Sequence, residues 1–279
     1  LAKADGLSAG EREQSEGTFT LAPLVSVFQN VKIEEKGALP GVFYYRPASL
    51  SMDAIMPEKA ESHDDLKKME MELALCYEKV RDALADDLRR MGSMDDFDGA
   101  VNTLLAVLEK HLSLVPSAGY KNVPDVSLYD HMKTTAAIAS CLYKSGGDTP
   151  FLLIEGDVSG IQNYIYNIRG SGAQGLQMSK RLRGRSFEIC LTTDAVVEYL
   201  LKLMELPRFH VVFNGGGNFI ILAPNTGEIT DKLDEAENAI NRFLLGQYDG
   251  MLGIVLGHVA VPEDEIMDFG VHADRLKKL

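Results

Sequence analysis

Residues 151–163 read Phe-Leu-Leu-Ile-Glu-Gly-Asp-Val-Ser-Gly-Ile-Gln-Asn, and residues 213–220 read Phe-Asn-Gly-Gly-Gly-Asn-Phe-Ile. The first is an apolar strand-like run with Asp157 at its end, turning through Ser159-Gly160 into a helix. The second is a Gly-rich hairpin turn between two apolar β runs. Around them the pattern reads strand 151–157, helix 160–169, long helix 174–205, strands 209–214 and 218–223, helix 228–246 and strand 251–261. With the first two helices merged into one crossover, the order is β-α-β-β-α-β. That is the ferredoxin-like order of an α+β domain, predicted here as an antiparallel sheet with helices on one face.

The chain before residue 146 has a different style. Residues 1–16 are polar with a helical flavour, and the segments Pro23–Ile33 and Val42–Arg46 read as two short strands joined by a Gly/Pro turn at 37–41. From Glu61 to Met91, Leu66, Met69, Leu73, Tyr77, Val80, Leu84 and Leu88 recur at three and four, which predicts one long amphipathic helix. Asp95 or Asp96 can cap a second helix running to Leu112, and a third is expected over Leu128–Tyr143. Gly146-Gly147-Asp148-Thr149-Pro150 reads as a linker.

Composition narrows the function classes. The 279 residues are 46% apolar, enough for one large or two modest domains. No run of about 18 apolar residues occurs, so no membrane span is expected. The opening Leu1-Ala2-Lys3-Ala4-Asp5 has no signal-peptide core and lacks a Met, consistent with an interior piece of a longer protein. Cys76, Cys141 and Cys190 are widely spaced without any CxxC, which favours reduced thiols and a cytoplasmic setting over disulfides or zinc. A net charge of −13 argues against a protein that wraps nucleic acid by itself. Lys180, Arg181, Arg183 and Arg185 are a local basic cluster, either a solvated helix face or an RNA-backbone contact.

The quoted segments suggest chemistry for one triphosphate. Asp157 is placed to sit beside Mg²⁺ and phosphate, because Mg²⁺ takes one or two carboxylates and the substrate's own oxygens. Ser159, Gly160 and the helix start at Ile161 offer free amides, although Asp157 and Ser159 can equally act as helix caps. Gly215, Gly216 and Gly217 exceed the needs of a tight turn and allow close backbone approach by a ligand. Two-metal nucleotidyl transfer needs a second carboxylate, and Gly217-Asn218 supplies none. This half is therefore expected to bind without catalysing. On the third helix, His131, Thr135 and Ala139 share a face; His63-Asp64 reads as a solvated helix start rather than a metal dyad.

The stretches Asn122–His131 and Thr134–Ala139, Gly156–Gln162, Lys180–Ser186 and Gly215–Phe219 resemble the large subunit of type III-A CRISPR effector complexes, the Csm-type member of the Cas-ten family. Ala4–Glu13 is similar to the stretch that closes that family's HD nuclease domain. The resemblance implies four regions. Residues 1–20 are the tail of the HD domain, 21–124 a β-hairpin and helical region, 125–145 a permuted HD-type helix and linker, and 146–279 the first palm domain.

In that family, target-RNA binding switches on single-stranded DNA cleavage at the HD site and conversion of ATP to cyclic oligoadenylates between two palms. The resemblance implies ATP with Mg²⁺ at Asp157, Ser159, Gly160, Gly215, Gly216, Gly217 and Asn218. It implies a divalent transition metal of the Mn²⁺ or Ni²⁺ class at a complete HD site, of which Asp5 and His131 would be part. Lys180, Arg181, Arg183 and Arg185 would contact RNA. The implied partners are other Csm-type subunits, in particular the small and guide-end-binding ones, with CRISPR RNA and target RNA. The HD dyad and the catalytic Gly-Gly-Asp-Asp hairpin would lie elsewhere in the protein. Alternatives are a non-catalytic scaffold subunit touching guide RNA and its neighbours, or a stand-alone GGDEF-like or adenylyl-cyclase-like nucleotidyl cyclase.

Overall fold

The computed structural model describes residues 1–9, 21–30, 41–118, 124–166, 175–268 and 270–272. The chain divides into two compact units, one of Ser8–Thr135 and one of Leu1–Leu7 with Ala136–Leu279. In chain order the described elements begin with α1 (Ala2–Ser8), β1 (Leu24–Val25), β2 (Val42–Tyr45) and β3 (Glu58–Ala60). There follow α2 (His63–Lys67), α3 (Glu70–Met91), α4 (Phe97–Leu112) and α5 (Leu128–Lys144). The quoted segments then build β4 (Phe151–Ser159), α6 (Ile161–Tyr166), α7 (Gly175–Met204), β5 (Val211–Gly215), β6 (Asn218–Pro224), α8 (Gly227–Tyr248) and β7 (Gly253–Val261).

In the 8–135 unit, β1, β2 and β3 pair antiparallel, and Val25, Val42, Tyr44, Ala60 and Leu66 form their core. α3 and α4 pack through Val80, Leu112 and Val115, with Asp96 accepting from the Gly99 amide as the N-cap of α4. Buried His111 joins α4 to its neighbours. Its Nε2 donates to Asp87 at 2.9 Å, and its Nδ1 therefore accepts from Ser49 Oγ at 2.7 Å. Lys110 first, then His111, holds the Asp87 carboxyl down at about 2.

Three local expectations fail here. The run Pro23–Ile33 is strand only at Leu24–Val25, because Ser26 is followed by a 3-10 turn at Val27–Asn30; residues 31–33 lie outside the described residues. The helix expected over Glu61–Met91 breaks into α2 and α3, since Lys68 and Met69 bond back three residues to Asp65 and Leu66. Leu66 joins the sheet core there rather than the α3–α4 contact. β3 is absent from the reading because Glu58 and Lys59 are exposed and carry no apolar alternation.

The other unit has the expected β-α-β-β-α-β order. Its sheet order is β5-β6-β4-β7, antiparallel throughout. Leu152, Ile154, Phe219, Ile221 and Ala223 point to the face covered by α7 and α8. Helices were expected on one face only, and this is corrected. Phe151, Leu153, Leu222 and Val261 point the other way and pack against Ala4 of α1 and against Ala137, Ile138 and Cys141 of α5. The continuous Phe-Leu-Leu-Ile run is the signature of a strand buried on both sides.

A fully buried histidine fixes this second layer. His210 Nδ1 donates to the Leu222 carbonyl at 2.5 Å, so Nε2 accepts from Ser140 Oγ at 2.9 Å. Burial pushes its pKa down to about 4. Opposite, Asn241 of α8 bonds both the amide and the carbonyl of Ile254, covering the outer edge of β7. No described helix is long and apolar enough to cross a membrane, and the three cysteines are unpaired thiols.

Candidate functional site

β4 runs from core to surface. The face that holds Phe151 and Leu153 continues as Glu155, Asp157 and Ser159, and exposure rises along it: Glu155 is buried, Asp157 and Ser159 exposed. Register sets Asp157 directly opposite Asn218, the first residue of β6, and Val158 N–H donates to the Gly217 carbonyl at 2.8 Å. The hairpin is thus held against the end of β4. Asp157 makes no side-chain hydrogen bond or ion pair among the described residues, and neither it nor Ser159 caps α6 there.

The glycines divide by cause. Gly216 and Gly217 have φ of 67° and 93° between paired Gly215 and Asn218, the positive pair a two-residue hairpin needs. A Cβ on Gly217 would also lie 2.2 Å from Ile161 Cδ1. Gly217 answers to the turn and to Ile161, whereas at Gly216 nothing lies within 4 Å. Gly160, at φ +84°, is demanded by the Met251 carbonyl, 2.0 Å from where its Cβ would sit. Gly156 lies beneath the Phe219 ring, 2.1 Å from Phe219 Cζ to a built Cβ.

Sequence reasoning missed Glu155. The residue is 9% exposed; Oε1 accepts from Asn218 Nδ2 at 2.9 Å, while Oε2 is buried without a partner. An unpaired carboxylate oxygen in a core is costly enough to demand a reason. The available signal was an acid at the end of a continuous apolar run, two residues before Asp157 and so on its face of the strand.

α6 and α7 frame the hairpin's other side. Tyr164 donates to Glu188, stands edge-on to Tyr248 at 5.3 Å and lies under the Arg185 guanidinium at 5.0 Å. Desolvation, then Glu188, raises its pKa to about 12. Arg185 also donates to the Tyr164 carbonyl at 2.5 Å, so this member of the basic cluster ties α7 to α6. Arg183 reaches Ser179 within its own helix, and Lys180, Arg181 and Arg183 are exposed.

The two residues expected at the HD metal fall in different units. Asp5 is exposed on α1 in the unit of Leu1–Leu7, and His131 of α5 belongs to Ser8–Thr135. His131 Nδ1 is 3.2 Å from Ser8 Oγ, which is 2.6 Å from Thr135 Oγ1. Among the described residues no group of three or more His, Cys, Asp or Glu is arranged to hold a metal.

Comparison with known proteins agrees with this architecture. Residues 150–279 match the family described as Csm1 subunit domain B. The chain is 30% identical, over 97% of its length, to the Enterococcus italicus "CRISPR system single-strand-specific deoxyribonuclease Cas10/Csm1 (subtype III-A)", and spans 38% of that protein. It is 35% identical to the Mycobacterium tuberculosis protein of the same description, covering 61% of this chain and 23% of that one. The crystal structure of Csm1 from T. onnurineus superposes with a TM-score of 0.72 at 29% identity, over 99% of this chain and 36% of that one. A Csm1–Csm4 cassette in complex with one ATP gives 0.70 at 27% identity, over 99% and 35%. The chain thus spans between about a quarter and two fifths of the length of these relatives. It belongs to the Csm1 family, and its residues 150–279 match the subunit's domain B.

Proposed function

We propose that this chain holds ATP with Mg²⁺ through a non-catalytic palm, as part of the large subunit of a type III-A CRISPR effector. The observation that carries this reading is the register that places Asp157 opposite Asn218 beside the open Gly216. The residues fit such a ligand. Asp157 is an exposed carboxylate without a partner among the described residues, Glu155 leaves an oxygen unsatisfied just beneath it, and Gly216 leaves room for phosphate to approach backbone amides. Bound Mg²⁺ would neutralise phosphate charge; Asp157 would hold it, with Ser159, Gly160, Gly215 and Gly217 lining the approach.

Asn218 is neutral, so this palm lacks the second carboxylate of two-metal transfer, which disfavours a stand-alone cyclase. In this reading cyclic oligoadenylate synthesis takes its catalytic acids from a second palm. Relatives named for complexes with cA4 and with ATP support it.

The whole protein's single-stranded DNA cleavage is proposed on the relatives' description as deoxyribonucleases. Residues 1–20 and 125–145 would belong to that permuted HD domain, and 146–279 to the first palm. Among the described residues no group of three or more His, Cys, Asp or Glu could hold a metal, so no step is assigned to Asp5 or His131. Exposed Lys180, Arg181 and Arg183 favour an added contact with CRISPR RNA or target RNA. Csm-type neighbours are proposed from the Csm1–Csm4 assemblies. The ATP reading is tested by calorimetry on the full-length protein, with Asp157→Asn expected to weaken Mg²⁺-dependent ATP binding; equal binding overturns it.

A further inference from the structure

The geometry points to Glu155 as a positioning residue for the nucleotide's metal: it fixes the side-chain amide of Asn218 so that the amide oxygen, beside Asp157, is the group presented at the end of the sheet. This inference rests on the ATP reading of the same face and adds to it a residue and a role.

A carboxylate only accepts hydrogen bonds, so the Asn218 atom 2.9 Å from Glu155 Oε1 must be the NH₂ group. The planar amide then directs Oδ1 away from Glu155. Asp157 is the direct cross-strand neighbour of Asn218, a relation that brings Cβ atoms to about 5 Å. The carboxylate of Asp157 and the carbonyl oxygen of Asn218 are therefore adjacent hard-oxygen donors, the kind Mg²⁺ or Mn²⁺ prefers. An unrestrained Asn218 could as readily present its NH₂ group, which repels a cation.

Glu155 is an expensive way to hold an amide, because its second oxygen is buried without a partner. Its strand neighbours Leu153 and Ile154 are fully buried and apolar, so packing alone calls for an apolar residue there. A role in orienting Asn218 accounts for a carboxylate at this depth. Asn218, which supplies no catalytic carboxylate, would then keep one oxygen ligand at that position, without a charge.

The test is a double-mutant cycle in the full-length protein. It is read by electron paramagnetic resonance of Mn²⁺ in the presence of AMPPNP, with thermal melting as a folding control. Glu155→Gln can donate as well as accept, frees the Asn218 amide and is expected to weaken Mn²⁺ binding about tenfold, the usual scale for an outer-shell partner. Asn218→Ala removes the oxygen donor and is expected to weaken binding by a similar factor. Adding Glu155→Gln to Asn218→Ala costs nothing further, because Glu155 acts only through that amide. Additive losses, or an unchanged Glu155→Gln, overturn the positioning role when Asp157→Asn weakens binding. If Asp157→Asn binds Mn²⁺–nucleotide as wild type does, the ATP reading itself fails and this inference falls with it.

Discussion

Lowering the pH should loosen the layer of α1 and α5 from the sheet through His210. This imidazole is fully buried, donates to Leu222, accepts from Ser140 and stacks on Phe209 at 4.8 Å. Its pKa falls from 6.5 to about 4, chiefly by desolvation, with the Leu222 bond opposing and Lys144 adding to the fall. The unfolded chain takes up this proton more readily than the folded one. The neutral ring's stabilisation is therefore complete above 6.5 and is lost as the pH drops toward 4. The whole shift corresponds to about 3 kcal/mol, of which about 2 is gone by about pH 5, a large share of a domain's stability. His210→Gln keeps one donor and one acceptor but cannot be protonated. Hydrogen exchange followed by mass spectrometry on β6 and α5 peptides gives the opening free energy at both pH values. Wild type should lose about 2 kcal/mol more than His210→Gln between about pH 7.5 and about pH 5. Equal losses in the two proteins would show that His210 is not the titrating group.

Three further outcomes follow from the geometry. Gly160→Ala forces a left-handed residue and a Cβ against the Met251 carbonyl, for a cost of about 2–5 kcal/mol, whereas Gly216→Ala meets only open space and costs about 1–2 kcal/mol in urea unfolding. Replacing Lys180, Arg181 and Arg183 by Glu should leave thermal melting unchanged while weakening retention of CRISPR RNA by the assembled complex. Replacing Arg185 should lower the melting temperature, because it holds Tyr164.

The order of the palm was legible because its strands are long apolar runs and its turns carry Gly and Asn where positive φ is needed. The second covering layer is not part of the one-face expectation: the apolar run Phe151–Ile154 fits a strand buried on both sides, but such a run names no partner, and the residues that cover it, Ala4 and Ala137 to Cys141, are distant in sequence. Glu155 was hidden for a different reason. Its meaning comes from Asn218, sixty-three residues away, and only strand register joins them. The break between α2 and α3 escaped because Leu66 fits the helical stripe yet packs on β2 and β3. The structural need for Gly160, the Met251 carbonyl where a Cβ would sit, is hidden in the sequence for the same reason. That contact is set by the β4–β7 pairing, and no local pattern records it.

If Asp157 and its hairpin neighbours hold Mg²⁺–ATP, calorimetric titration of ATP into the full-length protein, with and without Mg²⁺, reads that contact at its source. Binding should be Mg²⁺-dependent and should weaken at least about tenfold in Asp157→Asn, with thermal melting unchanged. Binding of equal strength in wild type and Asp157→Asn, or no ATP binding by the wild type at all, would contradict it.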